Sequence, residues 1–172
     1  MDDREVLEKA LEFHGHRCWA SVAGVRVGLA ALEKLGVKRS GGSQLFGIVE
    51  IGEEHGGMCF GDGIQYTTGC TLGKGNIRKE PLGKLALTLI DKDSNRAVRA
   101  SYKPTLQAEI AASAFMQKRA AGYQPDDLPD PDFIDANCDG LVNFGDINPF
   151  VLYLSNHATW LATYPDCAAV NG

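Results

Sequence analysis

Two short stretches hold most of the residues that could do chemistry. FHGHRCW, residues 13–19, gathers His14, His16 and Cys18 within one heptapeptide, and GGMCFGDGIQYTTGCTLGKGN, residues 56–76, carries Cys59, Asp62, Cys70, Lys74 and Asn76. Imidazole nitrogen and thiolate sulfur are borderline-soft donors suited to zinc and other late first-row divalent metals. Three protein ligands leave a coordination position for water or substrate. Residues four apart share a helical face, so a continuous helix would aim His14 and Cys18 the same way and His16 elsewhere, with Gly15 placed to interrupt it. Taken singly, a buried Cys is as readily a small apolar residue, and a His at a helix end as readily a cap. The metal reading rests on their occurrence together, since neither C-x-x-C nor H-E-x-x-H is present.

TLGKGN, residues 71–76, lacks the G-x-x-x-x-G-K-[ST] spacing of a nucleotide-hydrolysing phosphate loop. Its glycines read as a tight turn. Lys74 is left as a candidate for binding an anionic group or for proton transfer near a metal. His55 stands four residues before Cys59, but Gly56 and Gly57 between them favour a loop over a helix there.

The elements that must position these residues follow from periodicity. Val6, Leu7, Ala10, Leu11 and His14 recur at helical spacing over residues 4–14. Val22, Val25, Leu29 and Leu32 do so over residues 20–35, before Gly36. LFGIVEI, residues 45–51, reads as a buried strand. KLALTLID, residues 84–91, and residues 97–103 read as a hairpin about the polar turn at residues 92–95. A further helix is expected from Pro104 and Thr105 to Gly122, with Leu106, Ile110 and Ala114 on its apolar face. The fold class is therefore α+β, with helices packed on a small mixed sheet over residues 1–122, then a Pro/Asp-rich linker at 123–132 and a short calcium-loop and helix segment at 133–172.

That last segment reads DANCDGLVNFGD. Asp135, Asn137, Asp139, Asn143 and Asp146 place oxygens at loop positions 1, 3, 5, 9 and 12, with Gly140 at the sharp turn and Leu141 offering its carbonyl. An Asx-rich turn explains one or two of these residues, not the whole set. The pattern is read as a single dockerin-type calcium repeat, and as a candidate attachment point for a protein partner. Cys138 is off the ligand positions and free to meet Cys167, a bridge that requires an oxidising compartment.

A chain of 172 residues with 44% apolar residues supports one main core and a small appendage. A net charge of −5 argues against a nucleic-acid surface. The amino terminus lacks a secretory pattern and no apolar run is long enough to span a bilayer, so the expected location is cytoplasmic, in tension with the cysteines of the last segment.

FHGHRC followed by a Gly/Ala-rich helix, and then MCFGDGIQYTTGCTLGKGN, together resemble the FmdE family, named after formylmethanofuran dehydrogenase, over residues 5–110. Trp19 stands where the family pattern has proline. The resemblance implies an α+β fold, a transition-metal site, often zinc, and a homodimer. It carries site roles to His14, His16, Cys18, Cys59, Asp62, Gln65, Cys70, Lys74 and Asn76. Two functions are expected from this. One is a metal-dependent protein acting on a small polar or one-carbon ligand, with Asp62 or Lys74 carrying protons and Asn76 orienting. The other is a non-catalytic accessory or metal carrier attached through the calcium segment.

Overall fold

The helical periodicity of the first 35 residues becomes two helices that meet at the His/Cys stretch. The protein is described by a computed structural model over residues 3–102, 108, 111–112 and 114–124. Helix α1 runs Asp3–His14 and α2 runs Trp19–Leu35. On α1, Leu7 and Ala10 form the buried face. On α2 the burial extends nearly all round, from Ala20, Val22 and Val25 to Ala31, Leu32 and Leu35, because this helix touches α1 and α3 as well as two strands. It stops where Gly36 turns left-handed and the Val37 N–H returns to the Leu32 carbonyl at 3.0 Å.

Strand β1 is Leu45–Glu50, and helix α3 is His55–Thr68. A one-turn 3-10 helix, Leu72–Lys74, and strand β2, Ile77–Glu80, follow. The hairpin strands β3, Ala86–Asp91, and β4, Arg96–Ser101, complete a mixed sheet ordered β2-β1-β3-β4. β1 pairs in parallel with β2, which requires a crossover, and α3 is that crossover. β1 and β3 are antiparallel, with Val49 opposite Leu87 and Gly47 opposite Leu89. Leu45, Val49, Leu87 and Leu89 alternate onto one face and join Leu32, Phe60 and Ile64 in the main core.

The expected α+β class, the first two helices, β1 and the hairpin are all present. Helix α1 ends at His14, as its periodicity predicts, and Gly15 interrupts it by turning at φ +92°. Two features depart from the sequence reading. The glycine-rich stretch after Glu54 is not a loop but the start of α3. β2 carries no sequence signal, because four residues led by a single isoleucine give no alternation to read.

Tertiary packing explains why α3 is helical despite Gly56, Gly57, Gly61 and Gly63. A β-carbon on Gly24 of α2 would lie 2.1 Å from the Phe60 carbonyl oxygen, and one on Gly63 would lie 2.1 Å from that of Ser21. The two backbones touch where both helices lack side chains. Burial along this crossing outweighs the roughly 1 kcal/mol per residue by which glycine disfavours a helix.

The chain divides into two units, residues 1–102 and 103–172. Described in the second is helix α4, Ala114–Ala120, closed at Gly122, whose N–H reaches the Arg119 carbonyl at 3.0 Å. The start of that helix at Pro104, the linker beyond residue 124, the calcium loop Asp135–Asp146, and Cys138 and Cys167 lie outside the described residues. Among the described residues no helix is long and apolar enough to cross a membrane.

Gly24→Ala and Gly63→Ala should each lower unfolding stability by about 3 kcal/mol, measured by denaturant titration, because backbone rather than a flexible side chain blocks the methyl. A second expectation concerns the hairpin. Buried Asp91 accepts hydrogen bonds from Ser94 Oγ at 2.5 Å, Gln44 Nε2 at 3.0 Å and the Asp93 N–H at 3.3 Å. The bonds from Ser94 and Gln44 hold its carboxyl below the ordinary aspartate range. Because the folded value is depressed, its contribution is complete above the unfolded value of about 3.9 and is lost as pH falls through the folded value. Thermal unfolding of Asp91→Asn should be less pH-sensitive than that of the parent in that acid window.

Candidate metal centre

The end of α1, the link 15–18 and the start of α2 build the first half of the site. His14 is the last residue of α1, and after a turn at Gly15 and a bend at His16 the chain reaches Cys18, the extended N-cap of α2 (φ −142°, ψ 121°). The turn and bend fold the link so that the three side chains come together. The ligand atoms of His14, His16 and Cys18 all lie within 4.8 Å of one another. The His14 and His16 rings are 4.5 Å apart, centroid to centroid.

His14 is oriented by a carboxylate. Its Nδ1 is 2.9 Å from Asp62 Oδ2 on α3, and the imidazole is only 7% exposed. Its Nε2 is buried and has no hydrogen-bond partner. A buried ring nitrogen without a partner is unfavourable unless something else takes its lone pair. A His that bonds a carboxylate through one nitrogen and presents the other to its neighbouring donors has the arrangement of a metal ligand with its outer support. The residues therefore fit a transition metal, with His14 offering Nε2.

Asp62 is itself braced. Gln65, one turn later on α3, donates from Nε2 to Asp62 Oδ1 at 3.3 Å, while its Oε1 accepts the Leu72 N–H at 3.1 Å. A chain of bonds thus connects the 3-10 turn to the His14 ring.

Helix α3 also supplies Cys59 and His55. Cys59 packs with Cys18, Ala20 and Trp19. Burial, then the neighbouring Cys18, push its thiol up to about 12. His55 Nε2 is 3.4 Å from Cys59 Sγ, and the His55 ring stacks on His16 at 6.4 Å and 13°. The four-residue spacing from His55 to Cys59 is legible in the sequence, but the glycines between them favour a loop and hide its meaning. Trp19 lies over the same turn: a β-carbon on Gly56 would be 3.6 Å from its ring.

The remaining candidates are elsewhere. Cys70 is fully buried in the main core, its β-carbon 3.5 Å from where one on Gly47 would be, and its N–H bonds Thr68 Oγ1 at 3.1 Å. Burial raises its thiol, with Lys74 and Lys92 as its charged neighbours. Cys70 is thus a core residue of the sheet side and is not among the grouped ligands. Asn76 is 2% exposed and spent on structure: Oδ1 accepts the Thr71 N–H at 2.8 Å, and Nδ2 donates to the Leu45 carbonyl at 3.1 Å. Lys74 reaches the Ser40 carbonyl at 3.3 Å. TLGKGN is a stitched turn, as its glycines suggested, and of the three expected proton carriers and orienters only Asp62 touches the His/Cys group.

A family model described as FmdE, molybdenum formylmethanofuran dehydrogenase operon, matches residues 13–141, well over half of the chain. The chain belongs to the FmdE family. A probable S-adenosyl-L-methionine-binding protein of Archaeoglobus fulgidus is 41% identical over 98 residues, which is 55% of this chain and 25% of that protein. The FmdE-family chain thus spans about a quarter of the length of this curated relative. A crystal structure of a tungsten formylmethanofuran dehydrogenase FmdE-like protein from Syntrophus aciditrophicus is also similar, at 19% identity and a TM-score of 0.41, covering 60% of this chain and 74% of that one.

Asp62→Asn keeps the shape of the His14 partner but removes its charge. It should weaken divalent-metal affinity about 10- to 100-fold, measured by competition with a chromophoric chelator, while leaving the unfolding midpoint of the metal-free protein nearly unchanged.

Proposed function

We propose that this FmdE-family protein is a divalent transition-metal protein, with zinc as the first candidate, that holds its ion through His14 Nε2, His16 and Cys18 and presents it to a small polar ligand. The single observation that carries this reading is the buried, unpartnered Nε2 of His14, on a ring grouped with two further soft donors and backed by Asp62. Zinc suits two imidazoles and a thiolate, and a three-residue set leaves a position for an outside ligand. A bound ion would supply Lewis acidity.

The chain's own residues divide the remaining work. Asp62 fixes the His14 ring and keeps its Nδ1 occupied, so that Nε2 is the nitrogen offered. Gln65 holds Asp62 in place against rotation. Cys18, the N-cap of α2, brings its sulfur to the two imidazoles. Trp19 and Ala20 pack beside it. The half-exposed Asp62 is the group best placed to exchange a proton with a ligand at the centre.

Because the Archaeoglobus relative is described as S-adenosyl-L-methionine-binding, that compound is the first small ligand to test. A second reading, a carrier or accessory protein attached through a calcium-ordered segment, draws on the oxygen spacing of Asp135, Asn137, Asp139, Leu141, Asn143 and Asp146. A homodimer is compatible with either reading. The two differ in turnover and in whether the metal keeps an exchangeable position.

Elemental analysis of the purified full chain should find a transition metal in stoichiometric amount, and Cys18→Ser should lose it. Cys70→Ser should keep the metal but unfold about 1–3 kcal/mol more easily, because it puts a hydroxyl into the core. Metal absent from the parent, or retained in Cys18→Ser, would defeat the proposal. Calorimetric titration of the loaded protein with S-adenosyl-L-methionine, with and without calcium, tests the ligand separately.

A further inference from the structure

His55 has no part in the three-ligand centre, although its ring nitrogen meets the sulfur of Cys59. Cys59 packs in the same buried cluster as Cys18, which makes it a candidate fourth donor for a tetrahedral ion. A four-donor protein set is closed, however, and a closed site admits no ligand. The same sulfur is 3.4 Å from His55 Nε2, one helical turn away on α3, and the His55 ring is stacked on that of His16. Cys59 therefore stands between His55 on one side and Cys18 of the grouped ligands on the other.

We propose that His55 is a positioning residue that holds the Cys59 sulfur away from the metal, making Cys59 a displaceable fourth ligand and the site one that opens to exogenous donors. This rests on the metal reading above. The exchange balances without any redox partner. With an ion bound, an incoming donor would take the place of the Cys59 sulfur, and the released sulfur would take up the proton given up by the incoming donor or by water and stay within hydrogen-bond reach of His55 Nε2. Three features fit this role. His55 and Cys59 stand one turn apart on the same face of α3, so the hydrogen bond forms without moving backbone. The backbone crossing of α2 and α3 at Gly24 and Gly63 is too close to slide, so a change of partner is confined to side chains. Trp19 covers the same turn beside Gly56, helping to shield the released sulfur from bulk water.

The test uses the full chain loaded with cobalt(II), whose visible spectrum reports thiolate ligation and coordination number, and free imidazole as the exogenous donor. In the parent, imidazole should bind with loss of part of the thiolate-to-cobalt absorption. His55→Ala should keep both thiolates and bind imidazole at least about five-fold more weakly, and His55→Gln, which retains a donor, should recover part of that affinity. In a Cys59→Ser background the His55 substitution should have no further effect, because the sulfur it positions is gone. Imidazole affinity unchanged in His55→Ala, or lowered equally in the Cys59→Ser background, would overturn this role while leaving the three-ligand site intact. Failure of the parent to take up cobalt would overturn both readings.

Discussion

The contact on which everything else depends is the backbone-to-backbone crossing of α2 and α3. Gly24 and Gly63 let the carbonyl of each helix occupy the space where the other would carry a side chain. Only at that separation can Cys18, at the start of α2, lie beside Cys59 on α3, and only then can Asp62 reach His14. Close approach substitutes for propensity: a stretch with four glycines is held helical by what it packs against, at the point where the chemistry needs a rigid support.

From that crossing the order of the molecule can be followed in both directions. Toward the sheet, α3 leads through the turn at Leu72–Lys74 into β2, and Asn76 ties the turn to the start of β1. Toward the candidate metal centre, Gln65 connects the same turn to Asp62 and so to His14. The TLGKGN segment thus serves the site without entering it. Its polar residues are used by the backbone around them, which accounts for a chemically suggestive sequence that is mostly structural.

The fold is most legible in the sequence where one periodicity dominates. α1, α2, β1 and the β3–β4 hairpin follow from apolar spacing, and His14, His16 and Cys18 follow from donor chemistry in a short span. It is least legible where tertiary contacts overrule local preference. Nothing local to GGMCFGDG announces a helix, so the four-residue relation of His55 to Cys59 does not read as shared direction. Likewise, Cys59 and Cys70 look equivalent in the sequence, both among glycines and other small or apolar residues. One lies on α3 beside Cys18 and the other, after the turn at Gly69, lies in the core. Asn76 and Lys74 look catalytic beside their neighbours, yet the backbone carbonyls of Leu45 and Ser40 claim them.

The bond between His14 and Asp62 joins residues 48 positions apart. Such a contact gives nothing to the chain until a long loop has closed, with β1 and the crossover helix already in place. Before α3 docks on α2, the His/Cys heptapeptide is only three weak ligands on a flexible link. After docking it is an oriented set. An ion taken up at this centre would therefore select the fully assembled domain and hold it together by linkage, so the metal content of a preparation would also count the molecules that have finished folding.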